Sequence, residues 1–134
     1  MRRLRPAWED GDVTWVTLPG SDVGYLLADE DVVFAHGPTN RSLKNLFRNA
    51  RLAWRTVREQ RPDVILSTGA ALAVPFFIVG KLRRCRLIYV ESLTRTTSLS
   101  LSGRIVYPLA DAFFVQWPEA AGHRRRARCV GNVL

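Results

Sequence analysis

The stretch DVILSTGAALAVPFFIVGKLRRCRLIYVE, residues 63–91, contains two short apolar runs separated by a longer apolar segment. It opens with a short apolar run at 63–67, turns through Ser-Thr-Gly, and continues as an apolar segment at 70–82 before a second short run at 86–91. Short apolar runs around a helical segment are typical of a β-α-β unit, whose parallel strands are buried on both faces. We therefore predict two strands and a helix here, with Pro75 in the first turn of the helix or at a kink.

The same alternation continues on both sides of this unit. The upstream elements are predicted to be a strand at 12–17, a strand at 31–35 and a long helix at 40–60, which Arg61-Pro62 ends. The downstream elements are predicted to be a helix at about 100–110, a strand at 111–116, a short helix at 118–126 and a strand at 128–130. Alternating strands and helices predict an α/β fold, a Rossmann-like doubly wound parallel sheet.

Length and composition fit one domain spanning residues 1–134, with 47% hydrophobic and 24% charged residues. The longest nearly uncharged run, residues 70–80, is shorter than the roughly 20 residues of a transmembrane helix. No signal peptide is visible at the start. Cys85 and Cys129 have neither the spacing of a metal site nor that of a disulfide framework, so a reducing compartment is the default. His36 and His123 also lack metal-binding spacing, and no metal is predicted.

The net charge of +8 indicates an anionic partner. Of the 20 basic residues only Lys44 and Lys81 are lysine, which leaves 18 arginines. The candidate anionic partners are a phospholipid surface, a phosphorylated ligand and nucleic acid. The alternative explanation of the charge is an organism whose proteins are rich in arginine throughout. Nucleic acid ranks last, because the sequence lacks the interleaved aromatic and basic residues of a stacking surface.

Two segments favour contact with an anionic membrane. The helix at 40–60 places one arc of apolar residues against the predicted sheet and a neighbouring arc of cations outward, although a solvated surface helix is the alternative. The apolar helix at 70–82 either lies fully in the core or turns part of its surface to lipid beside the arginines that follow it. The predicted core arc comprises Leu43, Leu46, Phe47, Ala50, Trp54 and Val57. The predicted membrane contacts are Lys44, Arg48, Arg51, Arg55, Arg58, Phe76, Phe77, Arg83 and Arg84.

Ligands of a doubly wound sheet sit beyond the carboxyl ends of its strands. Three such ends carry polar residues: Ser67-Thr68-Gly69, Glu91-Ser92 and Gln116-Trp117. The first suits an anion at a helix start, or is simply a glycine that eases a tight turn. Glu91 is either a general base or acceptor of sugar hydroxyls, or a carboxylate that caps a helix or pairs with Arg95.

The segments RPDVILSTGAALAVPF (61–76), LIYVES (87–92), LSGRIVY (101–107) and DAFFVQW (111–117) resemble a known family. It is the acceptor-side subunit of split MurG-like glycosyltransferases, which include bacterial exopolysaccharide and capsule enzymes and the eukaryotic subunit that makes dolichol-linked chitobiose. The resemblance implies the amino-terminal lobe of a GT-B type transferase, bound peripherally at the cytoplasmic face of the membrane. It also implies a polyprenyl-diphosphate-linked acceptor, and a separate partner subunit that holds the donor, UDP-N-acetylglucosamine or another UDP-hexose.

The resemblance further assigns roles to particular residues, and it implies no cofactor. Glu91 is the expected catalytic residue, and Gln116 and Trp117 are expected at the rim facing the partner. The residues expected to bind the acceptor and its phosphates are Thr68, Gly69, Ser92, Arg95, Arg41 and Asn45.

One departure from the family pattern concerns the start of the chain. The family opens with an apolar strand and a Gly-Gly-His turn, whereas this sequence begins within the helix that would follow them. A missing central strand would leave backbone groups of its neighbours unpaired. We therefore hypothesise that the chain is truncated at its start or that another chain fills the gap. The alternative function, from a different class, is a non-catalytic basic adaptor that tethers a partner protein to the membrane.

Overall fold

Strands and helices alternate along the chain in the computed structural model, which describes residues 6, 8, 10–20, 23–37, 42–69 and 71–131. The strands are β1 (Thr14–Thr17), β2 (Asp31–Phe34), β3 (Val64–Ser67), β4 (Arg86–Val90), β5 (Ala112–Phe114) and β6 (Ala127–Arg128). The helices are α1 (Val23–Leu26), α2 (Leu43–Gln60), α3 (Ala73–Leu82), α4 (Leu101–Val106) and α5 (Pro118–Ala121). The β3-α3-β4 unit agrees closely with the predicted one. Helices α4 and α5 are shorter than predicted, and α1 had no counterpart in the prediction.

All strand pairs are parallel, as predicted, but they form two sheets. Strand β1 pairs with β2, and the second sheet has the order β3-β4-β5-β6. Within the described ranges no ladder joins the two sheets, although Val16 of β1 packs against the main core. Among the described residues, this is a break in hydrogen bonding between the two sheets. Its explanation, by a truncated start or by a strand from another chain, stays a prediction.

The core lies between α3 and the second sheet. Tyr89 is fully buried between the ring of Phe77, 5.9 Å away edge to face, and that of Phe113, stacked at 5.0 Å. A Cβ at Gly80 would lie only 2.6 Å from the side chain of Ile65, so the missing side chain lets α3 lie close to the sheet. Pro75 occupies the third position of α3, where its absent N–H removes no helical hydrogen bond.

This packing corrects the prediction that Phe76 and Phe77 contact lipid. Their exposed fractions are 7% and 0%, because the face of α3 that carries them packs in the core. The alternative that the sequence left open, a core helix, is therefore confirmed for these two residues. The exposed residues of α3 are Ile78, Lys81 and Leu82.

Helix α2 buries a different face from the predicted one. Ser42 caps its start by accepting a hydrogen bond from the Asn45 N–H at 3.3 Å, and Arg61 ends it in the left-handed conformation. The buried residues are Asn45, Asn49, Ala53, Thr56 and Val57. Most of the arc predicted to be core is instead exposed, with values of 77% for Leu43, 45% for Leu46, 81% for Phe47 and 46% for Trp54.

The side chain of Asn49 explains which face of α2 turns inward. Its amide accepts from the His36 N–H at 2.8 Å and donates to the His36 carbonyl at 2.9 Å. This two-point contact ties the helix to the end of β2, and fully buried Ala53 allows close approach one turn further on. The amide of Asn49 is itself buried and finds both hydrogen-bond partners in the His36 backbone, so a polar side chain is accommodated on the inner face of α2.

Candidate functional site

The carboxyl ends of β3, β4 and β5 meet at one edge of the second sheet. Ser67 pairs in register with Tyr89, and the Glu91 N–H donates to the carbonyl of Phe114 at 2.8 Å. The segment after β3 also reaches the segment after β4, because a Cβ at Gly69 would lie 3.3 Å from the Ser92 nitrogen. The structure thus brings together the three strand ends that the sequence singled out. We call this group of residues, 67–69, 91–100 and 116–117, the strand-end site.

Gly69 is required at this edge by its backbone and by the space around it. Its φ of +90° lies in a region that side chains disfavour. An added Cβ would also lie tightly against the Ser92 nitrogen, at 3.3 Å, and in ordinary contact with the Tyr89 hydroxyl, at 3.6 Å. Thr68 beside it is half-buried. Helix α3 begins only at Ala73, so residues 69–72 separate this turn from the helix start. The turn geometry accounts for the glycine, and the expected phosphate contact stays a prediction.

Glu91 is enclosed in the protein. Its side chain is 1% exposed. One carboxylate oxygen, Oε1, accepts from the Ser92 N–H at 2.9 Å, and Oε2 accepts from the Ser100 N–H at 2.9 Å. The Ser100 hydroxyl lies 3.0 Å from both oxygens. These donors surround a buried group and favour a structural carboxylate, and the expectation that Glu91 acts as a base stays a prediction. The alternative of a helix-capping carboxylate fits, since Ser100 is the N-cap of α4.

The segment after Glu91 forms a hydroxyl-rich loop at the site. The Ser92 and Thr94 hydroxyls lie 3.0 Å apart, and the Arg95 N–H donates to the Ser92 carbonyl at 3.0 Å. The side chains from Thr94 to Ser98 are exposed. This loop therefore presents hydroxyl groups and the guanidinium of Arg95 to solvent, and the expectation that Ser92 and Arg95 bind the acceptor stays a prediction.

Gln116 and Trp117 support this loop from below. The amide nitrogen of Gln116 donates to the Glu91 carbonyl at 3.3 Å, and the indole N–H of Trp117 donates to the Leu93 carbonyl at 2.8 Å. Gln116 is 5% exposed, so its expected place on an open rim is corrected. Both side chains hold the backbone of the 91–93 segment, and half-buried Trp117 keeps only part of its surface open.

Tyr89 adds a hydroxyl that stays neutral beneath the site. Burial raises its pKa to about 12, and its oxygen lies 3.5 Å from that of Ser100. It therefore acts as a hydrogen-bonding group and carries no charge near neutral pH.

The remaining predicted residues lie elsewhere. Arg41 is outside the described residues, and Asn45 is buried in the first turn of α2. Arg83 and Arg84 are exposed in the turn between α3 and β4, at the opposite edge of the sheet from Gly69. There they line a cleft of about 490 Å³ together with Arg61 at the end of α2.

Sequence reasoning missed Asn49, Ser100 and Gly103 as residues that shape these segments. A serine before a helical segment is a recognisable capping signal, so the capping role of Ser100 was accessible. Its bond to Glu91, nine positions earlier, was not. No comparable signal marked Asn49, because its hydrogen bonds are with His36, 13 positions earlier in the chain.

Helix α2 presents an apolar strip and a basic strip side by side to solvent. With 3.6 residues per turn, the exposed apolar side chains form one strip and the exposed cations form the next. We call the two strips together the α2 outer face. It consists of Leu43, Leu46, Phe47 and Trp54, and of Lys44, Arg48, Arg51, Arg55 and Arg58. Glu59 is its acidic neighbour, 3.0 Å from Arg55. Within the described ranges, no helix has the length and hydropathy needed to cross a bilayer.

The fold is Rossmann-like and similar to part of the GT-B fold of MurG. The crystal structure of Acinetobacter baumannii MurG superposes on 98% of this chain with a TM-score of 0.75, at 13% sequence identity and over 39% of the MurG chain. The chain itself belongs to the Alg14 family: the family model described as oligosaccharide biosynthesis protein Alg14 like matches residues 35–133. The expected family and fold class are thereby confirmed.

Curated relatives agree with this assignment. The UDP-N-acetylglucosamine transferase subunit ALG14 of Eremothecium gossypii is 45% identical over 101 residues, which are 72% of this chain and 45% of that protein. The Homo sapiens subunit of the same name is 34% identical over 89 residues, 62% of this chain and 41% of that protein. The matches thus span less than half the length of these relatives.

Proposed function

We propose that this chain is the acceptor-side, membrane-docking subunit of a UDP-N-acetylglucosamine transferase in lipid-linked oligosaccharide biosynthesis. The observation that carries the proposal is the extent of the Alg14 match, residues 35–133, which takes in both the strand-end site and α2. Support comes from the names of the matched relatives, transferase subunits in yeast and human. A partner subunit supplies the UDP-sugar site in this proposal, and the matched relatives support it because each is named as a subunit of a transferase.

The strand-end site offers the chemistry that a diphosphate-linked saccharide needs. Arg95 provides a guanidinium for a phosphate oxygen, and Ser92 and Thr94 provide hydroxyls for phosphate or sugar. In the transfer, an acceptor hydroxyl oxygen bonds to the anomeric carbon of the donor, the bond from that carbon to the UDP oxygen breaks, and the hydroxyl proton leaves to a base. Because Glu91 is buried, that base is assigned to the partner or to solvent.

The α2 outer face suits docking on an anionic bilayer. Its apolar strip reaches the acyl boundary while the flanking cations meet the headgroups, the arrangement of an interfacial helix. Each cation near such a surface contributes about 1 kcal/mol, reduced by salt. Docking in this way makes the protein peripheral at the cytoplasmic face, where the polyprenyl carrier presents its diphosphate near the strand-end site.

The test is a transfer assay with the complete pair of subunits. The chain, purified with the donor-binding subunit of the same organism, is given radiolabelled UDP-N-acetylglucosamine and polyprenyl-diphosphate-linked N-acetylglucosamine in anionic vesicles. We expect label in the lipid fraction only when both subunits are present. Loss of a charge-assisted phosphate contact of about 1.5–3 kcal/mol predicts roughly a 10- to 100-fold lower kcat/KM for Arg95→Ala.

The matched control is Arg125→Ala, which removes an exposed arginine from the 122–126 turn and should leave transfer unchanged. Absence of label with both subunits present refutes the transferase assignment. Transfer that is insensitive to Arg95→Ala favours the second candidate, a non-catalytic basic adaptor, for which the exposed α2 outer face is the supporting observation.

A further inference from the structure

We propose that Glu91 is a positioning residue that clamps the acceptor loop, residues 92–99, from inside the protein. This inference rests on the proposed function for its kinetic consequences, while the clamp itself follows from the contacts of one carboxylate. The clamp consists of Glu91, Ser100 and Gly103.

A single carboxylate holds both ends of the loop. Oxygen Oε1 accepts from the N–H of Ser92, where the loop begins, and Oε2 accepts from the N–H of Ser100, where it ends, both at 2.9 Å. The residues between them include the exposed Thr94 and Arg95. Closing a loop at its two ends on one rigid group restricts the conformations of everything in between. Buried Leu99, 2% exposed, anchors the far end further.

Ser100 couples the clamp to the start of α4. As the N-cap of the helix, its hydroxyl oxygen accepts a hydrogen bond from the Gly103 N–H at 2.9 Å. The same hydroxyl donates to the Glu91 carboxylate, and its oxygen lies 3.0 Å from each carboxylate oxygen. The same side chain therefore satisfies the helix end and the buried acid. Charge-assisted bonds of this kind are the strong ones, and they need every donor in place.

Gly103 provides the space that the carboxylate occupies. A Cβ at this position would lie 2.2 Å from Oε2 of Glu91 and 3.2 Å from its Cδ. The first distance is shorter than non-bonded atoms tolerate and the second is tight, so a side chain here would displace the carboxylate from the Ser92 and Ser100 amides. Gly103 is thus required although it never approaches the loop surface, since it is buried in α4.

The clamp also needs a carboxylate rather than an amide. In Glu91→Gln one oxygen becomes an NH₂ group, which would face the N–H of Ser92 or of Ser100, a donor against a donor. A base that acts on the acceptor would respond to the same substitution for a different reason, the loss of proton transfer. The two roles separate when the clamp is broken without changing Glu91.

The experiment compares Glu91→Gln, Ser100→Ala and Gly103→Ala in the two-subunit transfer assay. If Glu91 positions the loop, all three variants raise the KM for the lipid-linked acceptor at least tenfold. The KM for UDP-N-acetylglucosamine stays within twofold of the wild-type value, and the pH profile of kcat keeps its shape. Ser100→Thr retains the hydroxyl and restores the acceptor KM to within threefold. The matched control Ser102→Ala, a half-buried serine of the same helix, leaves all parameters unchanged.

The opposite pattern overturns the inference. If Glu91→Gln alone lowers kcat and removes a limb of the pH profile, while Ser100→Ala and Gly103→Ala keep the acceptor KM of the wild type, Glu91 is the base. Amide exchange provides a readout that does not depend on transfer. In Ser100→Ala, the mildest variant, faster amide exchange at positions 92 and 100 than in the wild type supports the clamp. Unchanged exchange at both positions refutes it. A wild-type pair that transfers no sugar would refute the proposed function and leave the exchange result to decide the clamp.

Discussion

The apolar strip of the α2 outer face offers a direct test of membrane docking. The perturbation is the double substitution Leu43→Ser and Phe47→Ser. Both side chains point to solvent, with exposed fractions of 77% and 81%, so their loss removes little packing from the folded chain. The cations of the face stay in place, which separates the hydrophobic contribution from the electrostatic one.

The size of the effect follows from the exposed area. Complete burial of a leucine or phenylalanine side chain contributes about 1.5–3 kcal/mol, so inserting the exposed three-quarters of each contributes roughly 1–2 kcal/mol. The double variant should therefore bind membranes more weakly by about 2–4 kcal/mol, and at 1.4 kcal/mol per factor of ten this is roughly a 30- to 1,000-fold loss of affinity.

The assay is co-sedimentation with vesicles that contain anionic phospholipid, at fixed ionic strength. Tyr25→Ser is the control, because Tyr25 is 88% exposed and lies on α1. Raising the salt should weaken the wild type and the double variant by the same factor, since both keep their cations. If the double variant binds within threefold of the wild type, the apolar strip does not enter the bilayer and the docking proposal fails.

Further predictions concern stability. Burial raises the pKa of Tyr89 from 10.0 to about 12. The contribution of the neutral phenol to the free energy of unfolding is therefore full below pH 10 and is lost as the pH rises toward 12. Between pH 10 and 12, urea unfolding should show the free energy of unfolding of the wild type falling by on the order of 2–3 kcal/mol more than that of Tyr89→Phe. Equal decreases in the two proteins would contradict the raised pKa of Tyr89. Asn49→Ala should lower the free energy of unfolding by about 2 kcal/mol, because His36 loses a backbone donor and a backbone acceptor contact; a change under about 0.5 kcal/mol would show that these bonds are not needed. Arg61→Gly should raise it by about 0.5–1 kcal/mol, since Arg61 ends α2 at a φ of 46°, whereas Arg58→Gly within the helix should lower it; destabilisation by both would contradict the strain argument.

The sequence was a reliable guide wherever the structure depends on neighbours along the chain. The apolar run at 63–67, the Gly69 turn and the run at 86–91 predict a parallel β-α-β unit, because crossover helices bury both faces of such strands. The parallel direction then places Gly69 and Ser92 at one edge without any knowledge of side-chain contacts. Arg61-Pro62 ends α2 where predicted, since proline restricts the residue before it.

The orientation of α2 was not predictable from its pattern. Apolar residues on one arc of a helix predict an apolar face, but they do not specify what covers that face. The sheet and the end of β2 select Asn49 and Ala53 for the inside, because His36 requires hydrogen-bond partners there. Leu43, Phe47 and Trp54 are left outside, and the same arc that was predicted to be core becomes the proposed docking surface.

The sequence alone was enough to predict the alternation of strands and helices, the parallel direction of the strands and the edge of the sheet where polar residues lie. These features depend on local periodicity and on residues within a few positions of one another. The surroundings of Glu91, by contrast, could not be read from the sequence. The position of its carboxylate is set by the Ser100 N–H and by the space that Gly103 leaves, and both residues lie at the start of α4. Whether a buried acid is a reactive group or a structural one depends on the donors and the volume around it, and those are set by packing.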